Sequence, residues 1–162
     1  MRNLLRERQQ TLEKIRRIAD YQLGKGAGDA LFPNDAQIVF SRTTARIRYI
    51  YLTRRLLATL RPTDGIFSLT VEGAKRLKSK ANVGELWVKV SDDAAPFVAK
   101  GKSVFAKHVT DADTEIRPHE ETIVISKQGK VLAVGKAVLT GREMKTFRRG
   151  LAVRVRRGVA EK

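Results

Sequence analysis

Apolar residues recur near the start of the chain at Leu4, Leu5, Leu12, Ile15, Ile18 and Ala19, with arginine, glutamate and lysine between them. That spacing predicts an amphipathic helix ending before Gly24. Glycines at 24, 26 and 28 then interrupt regular structure, because glycine adopts backbone angles that other residues avoid. After them the period shortens to two. Residues 37–41 read as a strand, and residues 46–52 as another with Ile47, Tyr49 and Tyr51 on one face and Arg46 and Arg48 on the other. Residues 56–61 and 66–70 continue the sheet around a turn at Pro62-Thr-Asp-Gly65. Val71, Ala74 and Leu77 lie three apart and predict a short basic helix over 71–80.

A change of composition at residues 79–84 marks the expected domain boundary, with a first domain over 1–80 and a second over 84–159. In the second, residues 85–90 read as a strand and 92–99 as a short helix that Ser91 can cap. Residues 103–106 are extended. Strands over 122–126 and 131–139 flank Lys127-Gln-Gly-Lys130, a hairpin signal. Residues 142–147 form a helical turn. The last strand, 151–156, alternates Leu151, Val153 and Val155 inward with Arg154 and Arg156 outward. The expected fold is thus an α+β N-terminal domain followed by a mostly-β barrel.

Charge alters this picture more than composition does. Lysine and arginine number 33 against 17 acidic residues, a net charge of +16. Residues 1–80 carry 17 basic and 7 acidic side chains, so both halves are basic. A heat-adapted surface adds both signs, whereas one sign dominates here, which points to a polyanionic partner. No cysteine is present, which removes disulfides and any cysteine-bearing zinc or redox site. No apolar run approaches the ~20 residues of a membrane span, and the N-terminus does not read as a secretory signal. A cytoplasmic protein with no membrane partner is expected.

Enzyme signatures fail one by one. The glycines at 24, 26 and 28 miss the dinucleotide fingerprint, since Asp29 follows and a helix precedes them. Gly101-Lys-Ser103 resembles the end of a phosphate-binding loop, but Pro96 stands where its first glycine belongs. Asp111-x-Asp113-x-Glu115 lacks a calcium-loop glycine, Ile116 taking that place. His108 and His119 are too isolated for a metal site. Neither metal, cofactor nor catalysis is expected.

The basic residues are more directed. Residues 142–157 hold Arg142, Lys145, Arg148, Arg149, Arg154, Arg156 and Arg157 against one acid, Glu143. Arginine suits RNA because its planar fork donates two parallel hydrogen bonds to a phosphate. In Lys100-Gly-Lys-Ser-Val-Phe-Ala-Lys-His108, glycine permits close approach of a backbone and Phe105 can stack on a base, although its apolar neighbours favour a core position.

The run through 100–109, Glu121-Thr-Ile-Val-Ile125, Val134-Gly-Lys-Ala-Val138, Met144 and Gly150-Leu-Ala-Val-Arg154 resembles a PUA domain over 84–159. Residues 19–33, Ser41-Arg-Thr-Thr-Ala-Arg-Ile-Arg48, 57–61 and 64–70 resemble the domain that precedes it in archaeal tRNA-guanine transglycosylases. The resemblance implies a PUA pseudobarrel that holds structured RNA, tRNA foremost and rRNA second. It maps an RNA-facing loop to Gly101, Lys102, Ser103, Phe105, Lys107 and His108, and a last-strand surface to Arg154 and its neighbours. It also raises an accessory subunit whose catalytic chain is separate, or a ribosome-associated factor, as alternatives. The chain is too short for the family's catalytic barrel and lacks the cysteines of its zinc site, so a non-catalytic role in RNA modification is expected.

Overall fold

The opening helix forms as α1, Arg2–Leu23, in the computed structural model, which describes residues 1–80 and 86–162. Its buried residues are Leu12, Ile15, Ala19 and Leu23, spaced three and four apart. Leu4 and Leu5 fit the same spacing yet are exposed, at 70% and 64%. Spacing alone marks a stripe, but only its second part has a surface to cover. The chain separates into two units, Met1–Gly84 and Glu85–Lys162. Residues 81–84 of the expected boundary, and Glu85 of the expected strand, lie outside the described residues.

In the first unit the glycine stretch is not simply irregular. A second helix, α2 (Ala27–Leu31), starts within it. Gly28 serves close packing: a Cβ there would sit 2.3 Å from the carbonyl oxygen of Arg16 in α1. The Asp20 carboxylate accepts from the Gly28 N–H at 2.7 Å and fixes the helix start. Four antiparallel strands follow in the order β1 (Gln37–Phe40), β2 (Ile47–Leu52), β3 (Arg55–Leu60), β4 (Phe67–Leu69). Buried Ile50, Ala58, Phe67 and Leu69 form the sheet's share of the core, and the Phe67 ring meets Phe32 at 5.2 Å. The side chain of Gln22 closes the edge of β4, donating to Phe67 O and accepting from Phe67 N, both at 2.7 Å. That pairing satisfies backbone groups that would otherwise offer an open strand edge. Helix α3, Val71–Ser79, begins where the Thr70 hydroxyl accepts from Gly73 N.

The turn between β2 and β3 holds Thr53 and Arg54 at φ 49° and 65°, the left-handed region. Two-residue hairpins of this kind favour Asn-Gly, and a side chain in that region costs roughly 1–2 kcal/mol. Arg54 is exposed, so nothing is lost by removing it. Arg54→Gly is expected to stabilise the first unit by about 1 kcal/mol, measured as a raised urea midpoint at constant slope. An unchanged or lowered midpoint refutes the strain.

The second unit is a six-stranded sheet in the order β6-β10-β9-β8-β5-β7. Its strands are β5 (Trp87–Val90), β6 (Val104–Phe105), β7 (Val109–Ala112), β8 (Glu121–Ile125), β9 (Val131–Ala137) and β10 (Leu151–Gly158). All neighbours are antiparallel except β5 and β8. The edge strands β6 and β7 are joined only by a 3-10 turn, Ala106–His108. So short a link spans a few ångströms per residue, and the sheet must curl until its edges nearly meet. The result is the expected pseudobarrel. Val88, Val90, Val104, Val124, Val153 and Met144 fill it, with alanines at 106, 112, 133, 137 and 152 where space is small. Helix α4 (Ala95–Ala99) is shorter than expected, and Ser91 does not cap it through its side chain. The Ser91 carbonyl instead accepts from Ala94 and Ala95, while its buried hydroxyl has no partner among the described residues. Helix α5 (Gly141–Thr146) starts with a reciprocal pairing of Thr140 and Glu143.

Candidate nucleic-acid interface

Strand β6 organises one part of the candidate surface. Phe105 faces Leu151 and Val104 faces Val153 across the ladder to β10. The Ala106 N–H donates to Gly150 O at 2.9 Å, which lays the turn 147–150 beside the 3-10 turn. The backbone at Phe105 and the 3-10 turn is therefore brought next to the turn that carries Arg148 and Arg149, which is remote in sequence. Phe105 is 49% exposed, so the core position that its apolar neighbours favour is wrong: β6 is an edge strand, and its alternation puts Val104 inward instead. Phe147, 45% exposed, stands in the same turn and was missed. Its one sequence signal was its place directly before Arg148-Arg-Gly150.

The loop 100–103 is wound onto the C-terminus of α4. Gly101 N–H donates to Val98 O at 2.9 Å, and Lys102 N–H to Phe97 O at 3.1 Å. Gly101 has φ 98°, a conformation disfavoured by any side chain, and a Cβ would sit 2.0 Å from Glu161 Oε1. The glycine thus fits the loop against this chain's own last turn. The Ser103 hydroxyl is tied inward as well, accepting from Val155 N at 3.1 Å. Lys102 is the member of this trio whose side chain is exposed.

Strand β10 departs from plain alternation. Val155 pairs with Gly135 and Arg157 with Val134, so Arg156 is the extra residue of a bulge. Bulges re-aim side chains, and Arg156 makes a two-pronged pair with Glu121, its Nη1 donating to Oε1 at 2.9 Å and its Nη2 to Oε2. The Glu121 side chain has no exposed surface. Arg157 and Lys145 have looser acidic partners, Glu161 at 3.7 Å and Asp111 at 3.4 Å, all partly exposed. Exposed pairs of that kind are worth less than about 1 kcal/mol and are easily exchanged for another anion.

Arg154 is different again. It is exposed and lies directly across the ladder from Lys136, also exposed. Two cations face to face repel each other, and a polyanion relieves that repulsion. Lys136 was missed, although it alternates with Gly135 and Ala137, which are buried on either side of it. Among the described residues, Lys102, Lys107, Lys136, Arg142, Arg148, Arg149 and Arg154 form no ion pair. No group of three or more metal-ligating side chains occurs among those residues, and none of their helices is long and apolar enough to cross a membrane.

Residues 13–82 match the family described as the patch-forming domain C2 of tRNA-guanine transglycosylase, and residues 87–159 match the PUA domain. The tRNA-guanine(15) transglycosylase of Thermococcus kodakarensis is 44% identical over 153 residues, 94% of this chain and 26% of that enzyme. That of Methanothermobacter thermautotrophicus is 42% identical over 147 residues, 91% of this chain and 22% of its own. The chain thus spans about a quarter of the length of these relatives. A hypothetical protein from Pyrococcus horikoshii shares the fold, with a TM-score of 0.73 at 23% identity over 93% of this chain and 91% of that one. A PUA domain protein from Thermoplasma acidophilum superimposes with a TM-score of 0.65 at 19% identity, over 98% and 92%. The chain is therefore a transglycosylase-type C2 domain followed by a PUA domain, and it belongs with the C-terminal region of the archaeal tRNA-guanine(15) transglycosylases.

Proposed function

We propose that this chain holds structured RNA, tRNA foremost, through its PUA unit, and serves tRNA modification without itself carrying the catalytic step. The observation that carries this reading is the joining of β6 to β10. It sets exposed Phe105 beside the turn that carries Arg148 and Arg149 within the segment that matches a PUA domain. Aromatic rings offer stacking surfaces for unpaired bases, and arginines suit phosphates. Proposed contacts are Lys102, Phe105, Lys107, His108, Arg142, Arg148, Arg149 and Arg154. Gly101 and Ser103 shape the loop, and Lys145, Arg156 and Arg157 contribute after or through their acidic partners. The domain limits proposed for this division of labour are 1–80 and 84–159.

Affinity that rests on phosphates falls steeply with salt, by about 0.9 in log–log slope for each phosphate neutralised. With six unpaired cations engaged, raising salt from 50 to 200 mM is expected to weaken tRNA binding about a thousand-fold. Titration of tRNA at both concentrations, with and without its single-stranded 3′ end, checks this. Absent or salt-insensitive binding refutes the reading.

A second reading makes the chain the accessory subunit of a transglycosylase whose catalytic chain is separate. The match to about a quarter of each enzymatic relative favours it. Recovery of a modification enzyme with this chain from native extract at low salt supports it, and recovery of none counts against it.

A further inference from the structure

The first unit has a cavity of about 180 Å³ where two loops meet at one end of its sheet. One loop joins β1 to β2 and the other joins β3 to β4. Ser41, Arg46, Ile47, Arg48, Leu60 and Arg61 are among its lining residues. Its lining is mostly apolar, and three of its residues are arginines. We propose that this cavity binds one backbone phosphate of an RNA strand, with the adjoining base against Phe40.

Three features build the site. Both loops are held by their own backbones: Ser41 N–H donates to Arg46 O at 2.7 Å, Ala45 N–H to Ser41 O at 2.9 Å and Gly65 N–H to Arg61 O at 3.0 Å. The cavity is thereby formed before any ligand arrives. The arginines are also placed. Val39 pairs with Tyr49 and Phe40 with Ile47, so Arg48 is the extra residue of a bulge, and its guanidinium lies 5.7 Å from the centre of the Tyr49 ring. Asp64 holds Arg61 at 2.8 Å and 3.2 Å, while Arg46 and Arg48 form no ion pair among the described residues. Two arginines without an ion pair among the described residues thus line the cavity, with a third whose position is fixed by a carboxylate. Finally, Phe40 is 48% exposed and lies across the ladder from Ile47 of the lining. An exposed ring next in the chain to Ser41 of a partly apolar cavity that three arginines line suits a ribonucleotide better than it suits a free anion.

This site extends the proposed function by giving the first unit an RNA contact independent of the PUA surface. The probes are inorganic phosphate and the dinucleotide UpU, titrated separately into the full chain and followed by amide NMR shifts. Saturable shifts within residues 40–48 and 60–66, with UpU binding more tightly than phosphate, are expected. Both responses should vanish in Arg46→Ala/Arg48→Ala, whose amide spectrum should otherwise match the parent. No saturable shift in those segments with UpU overturns the proposal, and tighter binding of phosphate than UpU overturns the choice of an RNA strand. The same double variant, assayed with tRNA, is expected to lower the salt slope by about 0.9, the share of one phosphate. If the parent binds tRNA and the variant's slope is unchanged, the cavity is not an RNA contact and the PUA reading stands. If the parent binds no tRNA, the PUA reading falls, and the UpU titration still decides the cavity.

Discussion

Arg156→Ala is expected to destabilise the second unit by about 3 kcal/mol, whereas Arg154→Ala should change its stability by less than about 0.5 kcal/mol. The two residues are two apart on one strand and look equivalent in the sequence. Their surroundings are not. Arg154 stands in water opposite Lys136, while Arg156 places two donors on the carboxylate oxygens of Glu121, whose side chain is fully buried. Removing one partner of a buried ion pair costs roughly 3–5 kcal/mol, because the remaining charge has been taken out of water. Arg156 retains 36% side-chain exposure, which keeps the expected cost at the lower end. The single tryptophan, Trp87, lies on β5 and reports on this unit by its fluorescence during urea unfolding. A double replacement, Glu121→Leu with Arg156→Met, should recover most of the loss, since an apolar pair of similar size avoids the desolvation cost altogether. An Arg156→Ala midpoint equal to that of the parent refutes the account. It follows that Arg156 must stay in place in any test of RNA binding: a variant lacking Arg154, Arg156 and Arg157 together would confuse loss of contact with loss of fold.

Much of the fold was legible because two periods dominate the chain. The three-and-four spacing of Leu12, Ile15 and Ala19 marks α1, and the alternation from Ile47 to Tyr51 marks β2. What failed were features set by partners remote in sequence. Helix α2 was hidden by the glycines at and before its start, of which Gly28 is small because α1 passes within contact distance of it. The Ser91 hydroxyl satisfied a local capping pattern, yet the backbone carbonyl took the role. Burial of β8 on every residue, Glu121 included, removes the alternation that would reveal its faces.

The candidate surface was legible in composition but not in geometry. Counting arginines between 142 and 157 locates the basic stretch, and charge alone cannot tell which of them have acids beside them. The bulge at Arg156 and the distant Glu121 decide that, and neither leaves a local trace. Phe105 was ambiguous for a related reason. Flanked by Val104 and Ala106 it reads as core, but β6 is an edge strand of two residues, with Val104 as its inward member. Sheet order, which no single segment contains, made the difference.

Arg148→Ala, Arg149→Ala and Arg154→Ala combined are expected to weaken tRNA binding by about 4 kcal/mol, near a thousand-fold. Each of these side chains is exposed and forms no ion pair among the described residues, so each is available to a phosphate without first leaving a protein partner. A hydrogen bond to a charged group contributes roughly 1.5 kcal/mol at the modest end of its range, and three such contacts account for the figure. The salt slope should fall by about 2.7 alongside. Because none of the three side chains is buried, the Trp87 unfolding midpoint should stay that of the parent, and this separates the result from the Arg156 case. Lys145→Ala with Arg157→Ala provides the contrast. Those cations already face Asp111 and Glu161, so moving them to a phosphate exchanges one anion for another, and the loss should stay within about tenfold. If the triple variant binds tRNA as tightly as the parent, with the same slope, the face built around β6 and β10 is not where RNA rests. If instead both variants lose affinity equally, the acidic partners do not discriminate among the cations, and total charge rather than placement governs binding.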